Sequence, residues 1–167
     1  MALILFFVLA SSFTSRVKDS SEYARLIKAE HRALQNTVGK VYVYNLTGRK
    51  DCSKTRIKYL GVVHTNRAKR YKVLTSFFVF SAGATCHGTS KIKIFDMRNR
   101  YVGEYYVGMP EGLPDILRGN KLLYLNNSED CNLRKTRAIN LGNGLPKTFF
   151  IPCSKNGGDV YSFSSGN

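Results

Sequence analysis

Three histidines offer acid–base chemistry near neutral pH in this 167-residue chain: His31, His64 and His87. His87 lies in the segment Cys86-His87-Gly88-Thr89-Ser90, which places a thiol, an imidazole and hydroxyl groups close together along the sequence. Neighbouring residues on an extended chain point to opposite sides, and no GxSxG or oxyanion-hole motif accompanies the segment. The sequence therefore leaves the catalytic residues unassigned and leans against enzymatic activity.

A small secreted ribonuclease is the enzyme that would use these groups best. His64 or His87 would pair with Glu104 as general acid and base, because RNA cleavage needs both groups beside the scissile phosphate. Nearby cations would hold that phosphate, namely Arg56, Arg70 or Lys72. No P-loop, dinucleotide-binding, CxxC or HxxxH pattern occurs, so we predict neither a cofactor nor a metal ion.

Positive charge is concentrated in the middle third of the chain. Residues 40–100 hold 14 Lys and Arg against two acids, Asp51 and Asp96, which gives +12 of the formal net charge of +15. A field of one sign attracts polyanions and raises their rate of encounter. The charge pattern therefore favours an anionic polymer or surface as the partner, such as a glycan, a nucleic acid or lipid headgroups.

Strand periodicity predicts where these cations point. In the first central strand Val41 and Val43 would face inward, which leaves Lys40, Tyr42 and Tyr44 outward. In the next strands, cations alternate with apolar residues, so each strand has one basic side. If the strands are neighbours, we expect one cationic surface formed by Lys54, Arg56, Lys58, Arg70, Lys72, Lys91 and Lys93.

Two other interpretations of the same strands stay open. Solvated strand faces are often rich in lysine, which discourages aggregation at sheet edges, so the cations could have no ligand. The apolar segment 75–80 could instead line the interior of a barrel that recognises a small apolar ligand or a protein partner. Neither alternative fixes an oligomeric state.

Four cysteines indicate disulfides rather than reactive thiols. Cys52, Cys86, Cys131 and Cys153 each lie beside turn-forming residues, and an even number is typical of exported proteins. Three pairings are possible, and the sequence does not choose among them. We expect one or two disulfides that tie loops together.

The first residues predict export. Residues 1–10 form an uncharged apolar run, too short to span a membrane, and Ala10 and Ser12 suit cleavage after Ser12. A signal peptide over 1–12 would make the protein secreted or periplasmic, with no transmembrane span. An uncleaved anchor, a start assigned too far downstream and a buried N-terminal strand are the alternatives, because the usual positive n-region is missing.

The remaining pattern predicts a single β-rich domain over 13–167. Asp19-Ser20-Ser21-Glu22 is typical of a helix N-terminus, so we expect a helix over about 20–36 with an apolar stripe that includes Tyr23, Leu26 and Ile27. Short alternating segments follow, at 41–46, 56–64, 71–80, 91–96, 101–107, 121–125, 138–141, 148–151 and 160–163. They predict an antiparallel sandwich, open barrel or curved sheet with one helix packed on it. The predicted function is noncatalytic binding of an anionic polymer.

Overall fold

The fold is mainly β with one helix, as the sequence predicts. A computed structural model describes residues 13–52, 54–125 and 136–166. Within these ranges, helix α1 (Phe13–Ala33) precedes ten strands. The strands are β1 (Val41–Tyr44), β2 (Thr55–His64), β3 (Arg70–Ala82), β4 (Thr85–Phe95), β5 (Tyr101–Gly108), β6 (Ile116–Arg118), β7 (Lys121–Tyr124), β8 (Arg137–Asn140), β9 (Thr148–Pro152) and β10 (Gly158–Ser165).

The strands form two antiparallel sheets. The larger has the order β1-β2-β3-β4-β5-β10-β9 and forms no closed barrel among the described residues, and the smaller has the order β6-β7-β8. Both faces of the larger sheet are covered. The helix face packs on α1 through a core that includes Leu26, Ile57 and Leu74, and the second face packs on the smaller sheet through Ile92 and Leu122.

Helix α1 begins earlier than predicted. The segment Asp19–Glu22, which the sequence places at the helix N-terminus, lies inside the helix instead. The Glu22 carboxylate is buried and accepts hydrogen bonds from the Ser81 backbone N–H at 3.0 Å and the Ser81 hydroxyl at 3.1 Å. The Glu22 side chain, which the sequence assigns to the start of the helix, therefore binds Ser81 of β3 instead. In the predicted stripe Leu26 is buried, but Tyr23 and Ile27 are 51% and 40% exposed.

All nine predicted strands occur, with different ends, and β6 is the strand that the sequence misses because it is only three residues long. Strand β4 begins at Thr85, so Cys86 and His87 lie on a strand rather than in a loop. Gly88 leaves room for the Phe77 ring, because a Cβ there would meet the end of that ring at 2.6 Å. The segment 86–90 of β4, which consists mostly of small polar residues, pairs with the mainly apolar segment 77–81 of β3.

One disulfide joins the β1–β2 connection to β4. Cys52 and Cys86 are bonded, with their Cα atoms 5.6 Å apart, and Cys52 is buried. Arg49 also reaches this region, since its guanidinium donates to the Ala84 carbonyl at 3.1 Å. Cys153 is also disulfide-bonded, and Cys131 lies outside the described residues.

The predicted signal peptide at 1–12 also lies outside the described residues. No helix among the described residues is long and apolar enough to cross a membrane.

The Cys52–Cys86 bond should contribute measurably to stability. It closes a loop of 34 residues, and the chain-entropy account gives about 3–4 kcal/mol for a loop of this size. We expect the variant with Cys52→Ala and Cys86→Ala to lose about that much in the free energy of urea unfolding. A control with Ser164→Ala and Ser165→Ala, on the exposed end of β10, should change little. A loss below about 1 kcal/mol in the cysteine variant would contradict the expectation.

Candidate functional site

The seven predicted binding cations do not form one surface. Strands β2, β3 and β4 are neighbours, but Arg56 and Lys58 lie opposite Phe77 and Thr75 and so point to the second face. Lys91 and Lys93 lie opposite alternate residues of β3, Ser76 and Leu74, and therefore point to the helix face. Lys72 shares the helix face, while Arg70 lies at the start of β3 and Lys54 precedes β2.

Two of the three cations on the helix face are neutralised. The Lys93 ammonium donates to Glu30 Oε2 at 2.9 Å, and the two side chains are only 5% and 3% exposed. Lys91 forms an ion pair with Glu104. Because these partners come from α1 and β5, the local sequence of β4 gives no sign of them.

Other predicted cations are engaged or stand alone. Lys58 donates to the Asp115 carbonyl at 2.6 Å, and Arg56 is exposed with its guanidinium 5.1 Å from the centre of the Phe77 ring. Lys54 is exposed near the disulfide. The positive patch expected on one face is therefore absent from the described strands.

The predicted orientation of β1 is also wrong. Val41 and Val43 are 49% and 63% exposed, whereas Tyr42 and Tyr44 pack against the helix-face core. Tyr42 lies opposite the buried Ile57, and its ring covers apolar surface there. An edge strand can leave valines in water when its larger aromatic residues are used for the core.

Unneutralised charge is concentrated instead where strands turn. The β2–β3 turn and the β4–β5 turn have the same geometry. In each turn the backbone N–H of the first residue, Thr65 or Asp96, donates to the carbonyl oxygen four residues later. Ala68 and Asn99 each have a positive φ at the fourth position, near +60°. Equivalent positions carry cations in both turns: Arg67 matches Arg98, and Lys69 matches Arg100.

A third turn lies at the same end of the molecule. Asn120, in the β6–β7 turn, accepts a hydrogen bond from the His64 backbone N–H at 2.9 Å. Asn99 accepts one from the Lys72 ammonium at 2.6 Å, which ties the β4–β5 turn to β3. We call this region the basic turn end, and it comprises His64, Arg67, Lys69, Arg70, Lys72, Asp96, Arg98, Asn99, Arg100, Arg118, Asn120 and Lys121.

The basic turn end has a large charge excess. Eight of its twelve residues are Lys or Arg and one is an acid, Asp96, which gives +7 with histidine neutral. Asp96 accepts from the Arg98 and Arg100 backbone N–H groups and from the Arg100 guanidinium. These hydrogen bonds hold the pKa of Asp96 below its ordinary value, and the largest effect comes from the Arg100 backbone N–H. Its single negative charge is thus used within its own turn.

The groups of the ribonuclease alternative are not brought together. Glu104 pairs with Lys91 and lies opposite Lys93, whereas His87 lies six residues from Lys93 along β4, about 20 Å at strand spacing. His87 stacks on Phe80 and contacts the Thr85 hydroxyl through Nε2 at 2.9 Å. His64 is three strands from β5, which is about 14 Å. No acid–base pair with Glu104 is formed by these histidines.

A groove that the sequence did not reveal lies beside α1 on the helix face. Its volume is about 360 Å³, and α1, β3 and β4 provide its walls. The signal for it lies in α1, where Glu22, Leu26 and Glu30 recur at four-residue spacing and so share one helix side. Its lining is Glu22, Tyr23, Leu26, Ser76, Phe78, Phe80, Thr89, Lys91 and Lys93.

Comparison of the chain with known proteins found no matching family model, curated protein or solved structure.

The buried Glu30–Lys93 pair gives a stability prediction with a built-in control. Lys93→Met leaves the Glu30 carboxylate buried without its partner, so we expect a loss of about 3–5 kcal/mol. The variant with both Glu30→Leu and Lys93→Met buries no charge, and we expect it to recover most of that loss. Urea unfolding measures both. If the double variant were as unstable as the single one, packing rather than charge would explain the effect.

Proposed function

We propose that this protein is a noncatalytic binding protein for an anionic polymer or surface and that it binds through the basic turn end. The observation that carries the proposal is the net charge of +7 on three turns that hydrogen bonds join. This location replaces the strand surface that the sequence predicts, because most cations of that surface are engaged or dispersed.

The position of the turns suits a polyanion. The β2–β3 and β4–β5 turns are two strand spacings apart, about 10 Å, which is comparable with the Debye length of about 8 Å at physiological salt. Their potentials therefore add. Arg67, Lys69, Arg70 and Arg98 are exposed, so a polymer can reach them without displacing core residues. Such contacts fix a phosphate or sulfate chain without reading its sequence.

We further propose that the protein acts outside the cytoplasm, as a secreted or periplasmic protein. The Cys52–Cys86 disulfide supports this, since disulfides persist mainly in oxidising compartments. An anionic glycan, a nucleic acid and anionic lipid headgroups are the polymers and surfaces to compare.

Matched charge variants test the location of binding. In the turn-end variant, Arg67, Lys69, Arg70 and Arg98 are changed to Gln, and in the control variant Lys40, Lys50, Lys54 and Arg56 are changed to Gln. Both sets are exposed and both lower the net charge by four. The control removes two cations of the predicted strand surface, so the pair of variants separates the two locations.

The readout is the affinity for heparin, a single-stranded oligonucleotide and anionic vesicles as a function of salt. We expect the turn-end variant to lose at least about tenfold in affinity, and its slope of log K against log salt to fall by about 0.7 for each lost phosphate contact. The control should keep most of the affinity. Equal losses in both variants, or no salt-sensitive binding by the unmodified protein, would refute the proposal.

A further inference from the structure

The groove beside α1 has the size of a small-molecule site. A volume of about 360 Å³ lies within the range of ligand pockets, about 300–1,000 Å³. A cavity of about 150 Å³ in another protein holds benzene, so a ring with a short chain fits here. The apolar part of the lining is supplied by Tyr23, Leu26, Phe78 and Phe80. Phe78 and Phe80 stack with their ring centres 5.5 Å apart and form one aromatic side of the groove.

One polar group in the groove lacks a partner. Ser76 is 2% exposed, and its hydroxyl has no hydrogen-bond partner within the part of the chain that the structure describes. A buried hydroxyl without a partner is unfavourable, so a bound group that supplies the missing hydrogen bond is stabilised by it. Ser76 lies on the helix face directly opposite Lys91, so the hydroxyl and the ammonium are cross-strand neighbours.

Lys91 brings unused donors to the groove. An ammonium has three N–H groups, and Lys91 has one carboxylate partner, Glu104, whereas the more deeply buried Lys93 is paired with Glu30, whose Oε1 has no partner of its own among the described residues. The acid that lines the groove, Glu22, already accepts from Ser81 with both oxygens. A ligand that brings an acceptor can use the remaining N–H groups of Lys91, and a carboxylate forms the charge-assisted version of that hydrogen bond.

We propose that the groove binds a small carboxylate with an aromatic body, of the arylalkanoate class. The ring lies against Phe78 and Phe80, and the carboxylate accepts from the Ser76 hydroxyl and the Lys91 ammonium. The site is separate from the basic turn end, so its success or failure is independent of polymer binding.

A ligand series tests the chemistry on the unmodified protein. The probe is 3-phenylpropionate, and its amide and amine analogues keep the ring while removing or reversing the charge. Backbone amide shifts in NMR titrations locate the binding. We expect the acid to bind at about 1 mM or tighter, with shifts in β3, β4 and α1, and at least about tenfold more tightly than either analogue. Equal binding of the three, or shifts outside the groove, would overturn the proposal.

Two variants with matched controls test the residues. We expect Ser76→Ala to weaken the acid about tenfold, whereas Ser90→Ala removes another buried hydroxyl without a partner, from outside the groove, and should leave affinity unchanged. Lys91→Met should abolish the preference for acid over amide, whereas Lys72→Met, at a half-buried lysine bonded to Asn99, should not. Equal effects of a variant and its control would contradict the assignment.

Discussion

The attachment of α1 to the sheet depends on two buried carboxylates. Glu30 pairs with Lys93 near one end of the contact, and Glu22 accepts two hydrogen bonds from Ser81 near the other. Between them Leu26 packs into the helix-face core. Burial of these charges is costly, so the contact is favourable only where each carboxylate meets a donor, which Glu22 does with both oxygens and Glu30 does with Oε2 alone among the described residues. This requirement selects one placement of the helix, whereas apolar packing alone would tolerate several.

The same pairing explains how the excess positive charge is distributed. The central third of the chain has almost no acids, so Lys91 and Lys93 are neutralised by acids from other elements, Glu104 and Glu30. A strand residue on a covered face has to be neutralised in this way, because a buried unpaired charge is unstable. Turn residues carry no such constraint, since water solvates them. The surplus therefore remains at the turns.

The sequence predicts the helix and the strands better than it predicts which face of the sheet each side chain occupies. The helix and nine strands are predictable because their apolar periods are clear. Within β2 and β4, cations and apolar residues alternate between the two sides of the strand as predicted. Which side of the sheet each alternation occupies was not predictable, since the sheet is covered on both faces and β3 buries consecutive residues, Val73 and Leu74. The bulge near Gly61 changes the register within β2 as well. A one-residue difference in register moves every side chain to the opposite face.

The groove lies between the two contacts that attach α1 to the hairpin of β3 and β4. Glu30 reaches Lys93, and Glu22 reaches Ser81 close to the turn at Gly83, but the helix leaves part of the face between them uncovered. Phe78 and Phe80 thus receive incomplete cover from the helix and remain partly exposed. Half-buried Lys91 lies nearer to Phe78, since it is opposite Ser76, whereas buried Lys93 lies farther along β4, opposite Leu74. The Lys91–Glu104 ion pair within the sheet therefore holds an ammonium group near these aromatic rings, which is the combination that the proposed carboxylate ligand requires.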